Sequence, residues 1–171
     1  YVLETISGMS WDDFIRENIT KPLGMHSTYF SDLAVTSHSN AALAYVFNES
    51  SQSFKHVNYN NLSLVAPAGS IHSSALDMAQ WIIANLQGRG INPEIHKPQI
   101  LMQQGEAFHY CFGWFRGSED GVGEFVMHRG RATGISASVT FMPKEQTGFV
   151  VLTNIADVGA FTGLLTKHAH A

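Results

Sequence analysis

"GEFVMHRGRATGISASVTFMPKEQTGFVVLTN", residues 123–154, decides the fold. Three strand-like runs, "GEFVMH", "GISASVTFMP" and "TGFVVLTN", are set apart by glycine-rich turns or by Pro143. A fourth, "YCFGWFRG" at 110–117, precedes them. Connections this short favour an antiparallel meander over parallel crossovers. The first run ends in an odd corner: His128, then Arg129, Gly130 and Arg131.

Upstream, the pattern is helical and mixed. Ser10 to Asp13 reads as a capping box that opens a short helix through about Asn18, stopped by Pro22. Gly24 is expected in a left-handed turn. "ALAYVF" and "FKHVNY" read as short strands around the polar turn "NESSQS". A second capping box, Ser74 with Asp77, opens the clearest helix. Leu76, Ala79, Ile83 and Leu86 recur at helical spacing, Met78, Trp81 and Ile82 widen the face, and Gly88 ends it. "HKPQILMQQ", 96–104, is expected as a further helix, and "AFTGLLTKHA", 160–169, as a terminal one. Helices, then strands, then a helix make an α+β layout with an antiparallel sheet flanked by helices. The composition shift near residue 105 marks a change of element type within one domain, 1–171.

The gross numbers bound the function. A chain of 171 residues with 44% apolar and 14% charged residues holds a real core and excludes disorder. A net charge of −4 leaves no footprint for nucleic acid. No apolar run approaches the roughly 20 residues of a membrane span. No signal-peptide pattern or initiator Met opens the chain; "YVLETISG" reads as a helix already in progress, so the true start is expected upstream. The single cysteine, Cys111, lies between Tyr110 and Phe112 and is expected as a small buried hydrophobe. Three sequons, at Asn18, Asn48 and Asn61, permit secretion and leave the compartment open.

Nine histidines invite a metal, but no two stand four apart and no C-x-x-C exists. His168 and His170 read as a solvated tail, and no metal is expected. Phosphate-binding glycine loops and a G-x-S-x-G elbow are absent from the sequence. None of the five lysines has a serine three residues before it, so the sequence holds no S-x-x-K. For His128-Arg129-Gly130 two readings stand. Gly130 is a turn glycine and His128 a half-exposed strand end; or the glycine lets a ligand reach the backbone, the Arg131 N–H faces a developing oxyanion, and His128 exchanges a proton with a hydroxyl.

Four segments carry a resemblance: "GMSWDDFIRENITKPLGMHSTYF" (8–30), "APAGSIHSSALDMAQWIIANL" (66–86), "FGWF" (112–115) and "MHRGRATGISASVTFMPKEQTGFVVLTN" (127–154). In this order they resemble the serine β-lactamase-like family of class C β-lactamases, penicillin-binding proteins, D-aminopeptidases and related esterases.

The resemblance implies an acyl-enzyme serine hydrolase acting on an ester, amide or β-lactam, with no cofactor. It makes His128-Arg129-Gly130 the third motif, Lys-Thr-Gly in class C β-lactamases and His-x-Gly in esterase and peptidase branches. His128 would assist in the groove, the Arg131 N–H would be one oxyanion donor, and Arg129 would meet an acidic substrate group or point to solvent. Histidine in place of lysine tilts the reading toward esterase or peptidase chemistry. The first two motifs, S-x-x-K and Y-x-N, would lie upstream of residue 1. Tyr59-Asn60-Asn61 spells Y-x-N at a position where the family has no catalytic tyrosine, and reads as a loop. The chain would then be the C-terminal part of one such domain, inactive alone, with an apolar face waiting for the missing part or a complementary chain. The substrate would be a small molecule or peptide. The alternative is a catalytically dead binding module or a natural truncation.

Overall fold

A computed structural model describes residues 1–103 and 108–155. The helices are α1 (Val2–Ser7), α2 (Trp11–Ile15), α3 (Asp32–Thr36), α4 (Ala66–Gly69) and α5 (Ala75–Gln87). The strands are β1 (Ala44–Asn48), β2 (Ser53–Val57), β3 (Ile100–Gln103), β4 (Phe108–Tyr110), β5 (Phe115–Glu119), β6 (Gly123–Ala132), β7 (Ile135–Met142) and β8 (Thr147–Thr153). Strands β3 to β8 form a six-stranded antiparallel sheet in chain order, the expected meander; β1 and β2 form a separate hairpin. The terminal helix expected at 160–169, with His168, and His170 beyond it lie outside the described residues.

Both capping boxes form. Ser10 Oγ accepts from Asp13 N at 3.2 Å, and Ser74 Oγ accepts from Asp77 N at 3.1 Å. Helix α2 is shorter than expected: after Ile15 the chain widens into a π turn over Arg16–Thr20, closed by Lys21 N donating to Arg16 O at 2.9 Å. Gly24 and Gly88 take the left-handed conformation expected of them.

Helix α5 crosses one face of β7 and β8. Ile82 joins Cys111, Trp114, Val126, Val139 and Phe141 in the core, with Met78, Trp81, Leu86, Ile95 and Val150 packed around them. Gly148 permits this approach: a Cβ there would stand 2.6 Å from Ile82 Cγ2 and 2.8 Å from Phe141 Cβ. Cys111 is buried as expected, its thiol donating to His96 O at 3.4 Å, and burial raises its pKa.

Four expectations need correction. The buried residues of α5 are Asp77, Ile82, Ala84 and Asn85, with Met78, Trp81 and Leu86 partly buried against the core, whereas Leu76 is 80% exposed and Ile83 is exposed. Several apolar residues in successive positions admitted more than one phase, and the sheet selected one. The helix expected over 96–104 does not form in its described part: Pro93–His96 is a 3-10 turn, Pro98 follows, and residues 100–103 pair with β4 as an edge strand. "YCFGWFRG" is not one strand: Gly113, at φ 80°, splits it, and Tyr110 faces Phe115 across a turn closed by Cys111 N donating to Trp114 O at 2.7 Å. Finally, β6 does not end at His128. It runs on through Ala132, and the chain turns at Thr133 and Gly134. Gly134 has φ 74°, and a Cβ there would meet Tyr45 N at 2.8 Å.

Candidate functional site

Period-2 alternation along β6 puts His128, Gly130 and Ala132 on the face that carries buried Val126. Helix α5 covers the Val126 end of that face. Beyond it lies a groove of about 770 Å³. Gly130, Arg131, Ala132, Ala137 and Leu152 form its sheet wall; Tyr29, Tyr59, His72, Ser73 and Ser74 stand among the residues opposite. Val65, Ile71 and Leu152 are exposed along it.

The expected residues are thus placed as follows. Gly130 and Arg131 line the groove, both exposed, and nothing lies within 4 Å of where a Gly130 Cβ would be. Gly130 is therefore a strand glycine facing open space, paired with Ala137, and not a turn glycine. His128 stands one step along the same face, half-buried, its ring stacked on Phe115 at 5.7 Å and 29°. It does not line the groove itself. Arg129 is exposed and projects from the opposite face of the strand.

Backbone polarity follows from the turn. Ala132 and Ile135 flank a two-residue turn and so form a hydrogen-bonded pair. Alternation then points the amides of Arg129 and Arg131 away from β7. On that side β5 pairs only as far as Met127, opposite Phe115. No described strand pairs with β6 beyond it, so the Arg131 N–H lies on an open edge beside the groove.

The opposite wall is fixed by a residue that the sequence reading used only as a cap. Asp77, buried at the start of α5, accepts from Ser27 N and from Thr28 Oγ1, both at 2.7 Å. Thr28 Oγ1 also lies 2.8 Å from Ser73 Oγ. Tyr29 and His72 then exchange backbone hydrogen bonds at 2.8 and 2.9 Å. The chain after Gly24 is so pinned to the helix start, and the signal was present: a serine and threonine just past a turn, and an acid inside a capping box. Tyr59, from the Y-x-N decoy, lines the groove, but its hydroxyl donates to Ala42 O and its ring packs on His72 at 5.2 Å. No cluster of metal-ligating side chains occurs among the described residues, and no described helix is long and apolar enough to cross a membrane.

Another histidine, His96, lies buried in the core. Asn85 Nδ2 donates to Trp81 O at 2.8 Å, which turns its Oδ1 toward His96 Nε2 at 2.9 Å. His96 therefore holds a proton on Nε2, with its ring against Trp114 and Phe141. Burial, and then the nearby Arg116 charge, lower its pKa and favour the neutral ring.

A meandering antiparallel sheet with a helix across one face and a groove beside its open strand edge is a β-lactamase/transpeptidase-like arrangement, a serine hydrolase-type fold. The chain matches the Beta-lactamase family model over residues 1–169 and belongs to that family. It is 31% identical over 170 residues to "Unguisins hydrolase ungD'" of Aspergillus campestris, covering 90% of this chain and 30% of that protein. The octameric penicillin-binding protein homologue from Pyrococcus abyssi superposes with a TM-score of 0.78 at 20% identity, over 97% of this chain and 40% of that one. A D-stereospecific amidohydrolase from Streptomyces sp. gives 0.76 at 21% identity, over 91% and 48%. The chain thus spans about a third of the length of the hydrolase and under half of either structural neighbour.

Proposed function

We propose that Gly130 and Arg131, with His128 at the margin, are part of one wall of an acyl-transfer site in a serine hydrolase. The Arg131 N–H would be an oxyanion donor, Gly130 would leave room for the acyl group at the backbone, and His128 would assist proton movement from the groove margin. The observation that carries this is the open edge of β6: an amide outside the ladder, next to a side-chain-free position, in a groove. Such an amide stabilises charge that develops on a carbonyl oxygen and costs no reorganisation. The nucleophile is not among these residues, since no S-x-x-K occurs. It would come from polypeptide joined to, or associated with, this chain, and the 171 residues alone would be inactive. Esterase or peptidase chemistry is favoured over β-lactam turnover by His128 at the position of the lysine. Arg129, on the opposite face, would have at most a long-range influence on substrate charge.

The test is turnover of an activated short-chain ester by the gene product extended upstream of Tyr1. His128→Ala should lower kcat; an unchanged rate removes His128 from the mechanism. Absence of an S-x-x-K from the upstream coding sequence would favour the dead binding module instead.

A further inference from the structure

We infer that Asn48 is an acceptor for an N-linked glycan. The three sequons are not equivalent in the fold. Asn18 sits in the π turn; its amide donates to Phe14 O at 2.9 Å, and the hydroxyl-bearing Thr20 is 5% exposed. Asn61 lies between Asn60 and Leu62, both on the groove, where a glycan would crowd the opening. Asn48 ends β1 at the tip of the hairpin, and Asn48, Glu49 and Ser50 are all exposed. Its Oδ1 accepts from Ser51 N, three residues on, at 3.1 Å, so the side chain is held through its oxygen.

The donor is a polyprenyl-diphosphate-linked oligosaccharide. Asn48 Nδ2 forms a bond to the anomeric carbon, the bond from that carbon to the diphosphate oxygen breaks, the lipid diphosphate leaves with the electron pair, and the amide gives up one proton. A membrane-bound transferase in the secretory lumen performs the step, so the inference places this hairpin on the luminal side.

The experiment is translation of the chain behind a cleavable secretion leader with endoplasmic-reticulum microsomes. Protease-protected chain should carry a glycan removable by peptide-N-glycosidase F and map to Asn48. Asn48→Gln and Ser50→Ala should lose it; Asn18→Gln should keep it. Protected chain with Asn48 unmodified would overturn the assignment.

Discussion

The two halves of the β6–β8 face are made of the same strands and meet opposite fates. At one end Val126, Phe141 and Gly148 lie under α5, and Phe141 is 1% exposed. At the other end Gly130, Ala132, Ala137 and Leu152 face a groove, and Leu152 is 40% exposed. Large side chains and one tight glycine close the first half; small side chains and one open glycine keep the second half accessible. Stability is concentrated where the helix packs, and the accessible backbone lies where it does not.

The comparison breaks first if the covered end is not the core. Phe141→Ala should cost about 3–5 kcal/mol, against under about 1 kcal/mol for Leu152→Ala, read from urea midpoints at constant m. Equal losses would erase the distinction. At the open end, Arg131→Pro removes an amide that the ladder does not use. In the upstream-extended gene product it should lower kcat by about 10²–10³, the effect of losing one oxyanion donor, with Tm little changed. Arg131→Ala, which keeps the amide, should stay close to the parent rate. A large loss in both would assign the effect to the side chain.

Asp77 joins the two halves, so its removal should be felt in both. Asp77→Ala orphans the Ser27 amide and leaves the Thr28 hydroxyl to Ser73 Oγ, and should cost about 2–3 kcal/mol in urea unfolding. Undiminished stability would mean that the 27–29 segment is held by other contacts. The smallest effect concerns His96. Its folded pKa lies below the unfolded one, so the unfolded chain binds more protons at acid pH. Stability on this account is full above about pH 6.5 and falls as pH drops through that value toward the lower folded pKa. Thermal melts from pH 8 to 5 should show the decline, and His96→Gln should flatten it; an equal slope in the variant would assign it to other groups.

Much of the covered half was legible in the sequence. Glycines and Pro143 punctuate three apolar runs, and Ser74, Asp77 and Gly88 delimit α5. Its phase was not, because a run from Leu76 to Leu86 offers two apolar faces, and only the sheet says which is buried. The edge strand 100–103 was hidden because four residues are too few for periodicity to separate strand from helix. The open half was legible as residues and not as geometry. His128, Gly130 and Arg131 could be picked out, yet the corner imagined at His128 is straight strand, and the turn comes at Gly134. Asp77 was read as a local cap because its partners, Ser27 and Thr28, lie 50 and 49 residues away.

The most direct test of the central claim, that these residues form a wall of the acyl site and not its nucleophile, is labelling by a fluorescent fluorophosphonate. The 171-residue chain and the upstream-extended gene product should be compared at equal concentration. Stoichiometric label in the extended protein, on a serine before Tyr1, and none in the 171-residue chain is the expected result. Stoichiometric label on any serine of residues 1–171 would contradict it.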